Sequence, residues 1–236
     1  MVEEGDATRA ARDDAVQDVP AWLRRTDGEN RLAAAAATAA AIALQLLLPP
    51  RFRLQPGWVL PSVGLLLLIS LTVLNPVRVT RATRLARRGS LLLVATITID
   101  NAFSAGFLDY DLVTGKGGSN AALLLASAAA IYLTNIIAFG LWYWEYDRGG
   151  PLARAAAIRP HPDFLFPQMA TPQVAPRDWE PAFLDYLYVS YTNATAFSPT
   201  DTMPLSRWAK VLMGVQSLVA LTTVALVIAR AVNILK

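Results

Sequence analysis

Polar and apolar positions along this chain do not alternate with the short periods of a soluble domain; they segregate into blocks. Apolar runs cover Leu32–Leu48, Trp58–Leu74, Ser90–Leu108, Ala121–Trp144 and Val211–Ala229. A helix needs about 20 mostly apolar residues to cross a hydrocarbon core of roughly 30 Å, so each run predicts a spanning helix. Pro49-Pro50 ends the first and Asn75-Pro76 follows the second, because proline lacks an amide and clashes with the preceding turn. The fourth run ends in Leu141-Trp142-Tyr143-Trp144-Glu145-Tyr146-Asp147, an aromatic end suited to the headgroup layer. The predicted fold class is therefore all-α, a polytopic transmembrane helical bundle.

Two stretches break the pattern. Residues 147–180 hold Gly149-Gly150-Pro151 and many further prolines and charges, which predicts an irregular extramembrane loop. Pro181 to Pro199 is moderately apolar but carries Asp185, Ser190, Thr192 and Asn193. It either crosses as a sixth helix or enters and turns back, and re-entrant backbone is tolerated only where protein or water covers it. Residues 181–236 then form one unit with the last helix. Residues 1–30 contain eight acidic and four basic side chains. They read as a mostly disordered cytoplasmic tail with a short helix around Trp22, too acidic for a signal peptide.

Composition sharpens this picture. Of the 236 residues 54% are hydrophobic and 17% charged, with mean hydropathy +0.37, below the quarter of charged residues usual in globular chains. The chain has no Cys and one His, which excludes disulfides, thiolate zinc sites, Cys nucleophiles and sites needing two histidines. No nucleophile–base pair, metal constellation or cofactor motif is visible, so a non-catalytic protein is expected. Gly115-Lys116-Gly117 lacks the spacing of a phosphate loop, Asp109 and Asp111 lack the other ligands of a calcium loop, and the Asn193-Ala194-Thr195 sequon falls at membrane depth.

Basic residues set the orientation. With a cytoplasmic N-terminus and six crossings, fifteen fall inside and five outside, Arg230 being intramembrane. A re-entrant Pro181–Pro199 moves Arg207 and Lys210 inside and Lys236 out, and the rule is still obeyed. The Arg78–Arg88 cluster then faces anionic lipid headgroups rather than nucleic acid.

Polar residues inside spans are expensive and mark candidate sites. These are Asp100 and Asn101 in the third span, Asn135 in the fourth, and Gln216, Thr223 and Arg230, spaced by seven on one face of the last. An Arg230 ion pair with Asp100 or Asp185 is one expectation. Asp185, Thr192, Asn193, Thr195, Ser198, Thr200 and Asp201, with Gln216 and Thr223, offer oxygens to a hydrated cation or polar solute. The alternative is that they cap helix ends, as Thr200-Asp201-Thr202 before Pro204 would for the last helix.

The layout from Asp185 to Lys210 resembles the pore helix, filter and inner-helix start of potassium channels. Ala194-Thr195 match the end of the pore helix, Asp201 the filter Asp, Pro204 the following Pro and Lys210 the basic residue opening the inner helix. Ala196-Phe197-Ser198-Pro199-Thr200 stands where the glycine-containing filter belongs, so a potassium-selective carbonyl cage is not expected. Leu141–Tyr146, Phe166-Pro167, Asp185–Thr192, Ser198–Asp201 and Asn233 are also similar to a group of bacterial multi-span membrane proteins without a settled activity. That resemblance covers roughly the last hundred residues and implies the bacterial plasma membrane. The expected function is a channel-like permeation pathway, in a homo-oligomer if the segment is re-entrant. The alternative is a non-catalytic scaffold or a subunit of a larger complex.

Overall fold

A computed structural model of the chain describes residues 19–74, 84–115, 120–195 and 201–234. Its long helices are α1 (Leu32–Leu47), α2 (Val59–Leu74), α3 (Arg84–Thr114) and α4 (Ala121–Tyr146). Short helices α5 (Pro151–Ala155) and α6 (Pro167–Ala170) follow, then α7 (Phe183–Thr195) and α8 (Arg207–Ile234). Two-residue strands β1 (Phe164–Leu165) and β2 (Met203–Pro204) pair antiparallel, Phe164 opposite Pro204 and Leu165 opposite Met203.

The ends of these elements follow from local chemistry. α1 is a run of alanine, the residue that loses least on entering a helix, and it stops before Pro49. Asn120 caps α4 by accepting the Leu123 amide at 3.0 Å. The chain leaves α4 through Gly149 and Gly150, at φ 88° and 93°. A Cβ on Gly150 would lie 2.8 Å from the Glu145 carbonyl oxygen, so only glycine fits this exit.

α4 is the central helix, packed against α1, α3, α7 and α8, while α2 lies against α1 and α3. At the near end of the bundle, Leu32 begins α1, α2 finishes beside Arg31, and Tyr146 ends α4; there Arg31 Nη1 reaches the Leu71 carbonyl at 3.2 Å. Leu48, Phe52, Leu112 and Leu124 cluster at the far end.

Among the described residues three helices are long and apolar enough to cross a membrane, over Leu85–Thr114, Ala122–Ala155 and Arg207–Arg230. α1 and α2 are apolar but have 16 residues each, about 24 Å at 1.5 Å per residue. The expectation of five spans is therefore met in length by three. The apolar runs of the third and fifth spans continue as helix into their charged flanks, because Arg84–Arg88 and Arg207–Lys210 are good helix formers. Of the tail assigned to residues 1–30, residues 1–18 lie outside the described residues; residues 19–30 pack onto the bundle, and a 3-10 turn at Ala21–Leu23 stands where a short helix around Trp22 was expected, with Trp22 against the core.

A candidate site around a half-depth helix

α7 has 13 residues, about 20 Å, too short to cross a roughly 30 Å core. Its first turn sits at the near end, where the Phe183 amide donates to Glu29 Oε1 and the Tyr186 hydroxyl to Asp147 Oδ2 at 2.6 Å. Its last turn lies deep along α4, where the Ala194 carbonyl accepts from the Tyr132 hydroxyl at 3.0 Å. Tyr132 is 14 residues from the end of α4, about 20 Å along its axis. The chain is back at the near end by β2, whose partner β1 follows the Asp147 loop. α8 starts there too: Trp208 packs on Tyr146 at 5.4 Å and donates Nε1 to Asp163 Oδ1 at 2.9 Å. The described residues on either side, Phe183 and Met203, therefore lie at one end of the bundle, and Arg207 and Lys210 share the end that holds Arg148.

Contact with α4 is close because Gly140 has no side chain. A Cβ there would meet the Leu187 Cα at 3.1 Å. On the buried side of α7, Gln216 of α8 is fully buried and uses its whole amide. Its Oε1 accepts from the Tyr143 hydroxyl at 2.5 Å and from Asn193 Nδ2 at 2.9 Å. Its Nε2 donates to the Ser190 carbonyl and hydroxyl at 2.9 and 2.7 Å. Asn193 Nδ2 also reaches the Met213 carbonyl at 3.0 Å. The Ser217 hydroxyl donates to the Asn193 carbonyl at 3.3 Å. Two of the four carbonyls that every helix end leaves without a helical partner are thus capped by α4 and α8 side chains.

The remaining predicted residues divide sharply. Asp185 accepts the Ala182 amide at 2.8 Å and caps α7. Thr192 and Thr195 bond back to Tyr188 and Tyr191 carbonyls at 2.8 and 2.9 Å; Thr192 is buried and Thr195 exposed. Asp201 is exposed, while Ser198 and Thr200 lie outside the described residues. Asn101 and Gln45 bond at 3.0 Å, and Ser104 donates to Gln45 at 3.2 Å, which joins α1 to α3 away from α7. The charge acting on the buried Asp100 is that of Arg53. Asp185 lies at the opposite end of α8 from Arg230, which corrects the proposed pair with that residue. Asn135 and Thr223 are each 2% exposed, and Asn135 Nδ2 and Thr223 Oγ1 have no hydrogen-bond partner. Of the arginine cluster, residues 75–83 lie outside the described part; Arg87 donates to the Gly149 carbonyl and Arg88 is exposed.

An ionic collar at the near end escaped the sequence pattern altogether. Arg154, 7% exposed, donates Nη1 to the Trp144 and Asp147 carbonyls at 2.6 and 3.1 Å and pairs through Nη2 with Glu29 at 3.4 Å. Its guanidinium also lies 4.9 Å from the Tyr186 ring centre. Glu29 further accepts from Trp144 Nε1 at 2.6 Å. Burial pushes the Glu29 carboxyl above its ordinary value, while Arg154 and the Trp144 and Phe183 donors pull it down. Asp147 Oδ1 takes the Asp163 amide at 2.7 Å, and Asp163 Oδ2 takes the Arg148 amide at 2.9 Å. The only sequence signal for this collar is the density of charge around Tyr143–Trp144; its partners lie up to 154 residues apart.

Among the described residues no group of three or more His, Cys, Asp or Glu side chains is placed to hold a metal. Comparison with protein-family models, curated proteins and solved structures returns no match.

Proposed function

We propose that the protein is a membrane-embedded subunit of a channel-like pathway for cations or small polar solutes, without a potassium-selective filter, in which α4, α7 and α8 form the working module. The observation that carries this reading is that α7 reaches about halfway along α4, to Tyr132, while Met203 beyond it is again at the end where α7 begins. A half-depth helix directs its C-terminal partial negative charge toward the middle of the bundle, a field that favours cations. α1 and α2 complete the bundle as short spans. The near end, rich in arginine, is cytoplasmic, so the N-terminus lies inside and α8 ends outside.

One copy spends its candidate oxygens on itself: Gln216, Asn193 and Thr192 are bonded within the bundle. The pathway therefore forms where several copies bring together the open face of α7, with Tyr188 60% and Tyr191 52% exposed and Thr195 beyond them. Asp201 stands at its mouth. The test is cation flux into liposomes containing the purified protein. Wild-type flux should exceed that of empty vesicles and fall at least fivefold in Thr195→Val or Asp201→Asn with assembly intact. Vesicles that stay tight under several ions and voltages refute the pathway.

The full internal satisfaction of Gln216 favours a second reading, a non-catalytic scaffold or a subunit of a larger membrane complex. Tight wild-type vesicles are its expected outcome.

A further inference from the structure

The working module leaves two faces open, and their shapes are complementary. α7 presents Tyr188 and Tyr191, both more than half exposed. Among the described residues neither hydroxyl has a hydrogen-bond partner. Below the headgroup layer a phenol finds little water and gains nothing polar from acyl chains, so a covered one takes a protein partner. α8 presents the opposite shape. Only 22% of its apolar stretch is buried within the chain, against 44% and 50% for the other two candidate spans. Val211 and Leu218 stand exposed on it, and between them Gly214 leaves a notch, where a Cβ would meet nothing within 4 Å.

Knob and notch stand at one depth. Met213 and Gln216 of α8 bond to Asn193 and Ser190 of α7, which sets Gly214 level with Tyr191; Tyr188 is about one turn nearer the collar. Gly214 is two residues from Gln216, about 200° around the helix. The notch therefore faces away from the contacts that Gln216 makes with α4 and α7, out of reach of the tyrosines of its own copy. Gly106 on α3 is equally open but lies elsewhere. Trp142 donates to Thr98, close to the level at which Tyr143 meets Gln216. Gly106 is eight residues past Thr98, about 12 Å deeper. Copies related by an axis along the membrane normal share one depth, so their tyrosines meet Gly214 and miss Gly106.

We infer that the partner of the open α7 face is a second copy of this chain, with Tyr188 and Tyr191 of one copy seated at Gly214 of the next, between its Val211 and Leu218. Small residues let helices approach closely in hydrocarbon, and a glycine leaves the helix backbone uncovered toward the phenols. The two faces are different surfaces, so the contact runs head to tail, the kind that closes into a ring. Thr195, deeper on the same side of α7, is then left toward the ring axis. The inference rests on the proposed pathway and names the contact that assembles it.

The full chain in mild detergent is sized by light scattering on size-exclusion chromatography. Gly214→Leu has room within a single copy and puts a good helix former in place of a poor one. Its helix content by circular dichroism should match wild type while the assembled fraction falls at least fivefold. Tyr191→Ala, at an exposed position, should act in the same way and serves as the test should Gly214→Leu misfold. Gly106→Leu should assemble as wild type does. The chain has no Cys, so a Tyr191→Cys copy and a Gly214→Cys copy with different tags report the contact directly. Oxidation should join the two tags at least tenfold more than it joins either copy to itself. A monomeric wild type assigns both faces to lipid and overturns the inference. So does an assembly that survives both Gly214→Leu and Tyr191→Ala, or one that is lost in Gly106→Leu alone. Cross-linking chiefly between two Tyr191→Cys copies also overturns it, in favour of a two-fold contact through α7. Flux in liposomes is a separate readout: tight vesicles that show the mixed cross-link refute the pathway alone, and flux without the mixed cross-link refutes the contact alone.

Discussion

Replacing Gln216 with Leu distinguishes a structural amide from one that faces solute. Leucine keeps the volume and removes every polar atom. In the bundle the Tyr143 hydroxyl then loses the acceptor it holds at 2.5 Å, and Ser190 loses the donor to its hydroxyl and carbonyl. Asn193 keeps the Met213 carbonyl and stays beside the phenol, so the main new defect is one buried phenol O–H without its acceptor. That defect is worth about 1–3 kcal/mol, and the net value of the other lost bonds about 1 kcal/mol; interhelical hydrogen bonds within membranes average nearer 0.6. The expected destabilisation of Gln216→Leu is about 2 kcal/mol. Tyr143→Phe alone costs about 1 kcal/mol, and adding it to Gln216→Leu removes the orphaned hydroxyl. The double variant should therefore be less destabilised than the sum of the singles by about 1 kcal/mol. Denaturant titration in mixed micelles, followed by fluorescence of the six tryptophans, measures the cycle. Single costs below about 0.5 kcal/mol that add without coupling would refute the reasoning, because an amide open to water leaves nothing unpaired when it is removed.

Other expected outcomes follow from the same contacts. Gly140→Ala places a Cβ 3.1 Å from the Leu187 Cα, so α4 and α7 must separate; a loss of about 1–3 kcal/mol is expected, read by thermal denaturation. Arg154→Met leaves Glu29 buried without its cation and should cost about 3–5 kcal/mol, seen as loss of folded protein on size-exclusion chromatography; normal yield and melting would refute the collar's role. Because burial raises the Glu29 carboxyl above its ordinary 4.5, its contribution to stability is full below that value and is lost as pH rises through the raised one. Glu29→Gln should therefore flatten the decline in melting temperature as pH rises above the ordinary carboxylate range, and an unchanged slope would count against it. The chain has no Cys, so single cysteines report sidedness cleanly: Asp178→Cys and Met203→Cys should be labelled by an impermeant maleimide from the same face, and labelling from opposite faces would sink the half-depth path.

What the sequence made legible was the transfer free energy of long runs. The third, fourth and fifth apolar blocks became α3, α4 and α8 because a window of that length and polarity has few other stable fates. The seven-residue spacing of Gln216 and Thr223 put both on one face of α8 and left open whether that face lines a pore or packs; both side chains are buried, at 0% and 2% exposure. It had no means of showing that the Gln216 amide meets Tyr143, Ser190 and Asn193, since those partners come from two other helices. Pro181–Pro199 stayed ambiguous for a physical reason: a segment with mixed polarity is equally compatible with spanning and returning, and the choice is made by tertiary contacts at its two ends. Arg148 and Arg154 counted as topogenic charges, yet they are 1% and 7% exposed and bind carbonyls. A positive-inside count registers charge near a span and is blind to whether that charge faces lipid headgroups or a collar of backbone oxygens. The arginines at this end thus serve structure as well as orientation.

The two ends of α7 are held in different ways, and this asymmetry bears on function. Its first turn is fixed by groups of the ionic collar: Glu29 at the Phe183 amide, Asp147 at the Tyr186 hydroxyl, and Arg154 over the Tyr186 ring. Its last turn is held by neutral groups, the Tyr132 and Ser217 hydroxyls each on one carbonyl and the Asn193 amide on Gln216 and Met213. The collar groups constrain one another through shared partners, Glu29 bridging Arg154, Trp144 and Phe183 and Arg154 holding the Trp144 and Asp147 carbonyls. Motion of this segment is therefore cheapest at the deep end, with the near end as its fixed point. Residues 19–31 take part in that fixed point through Glu29 and the Trp22 carbonyl, so the stretch before the first helix is mechanically coupled to α7. A pathway on the open face of α7 would be altered by movement of Tyr191 and Thr195 much more than by movement of Leu184.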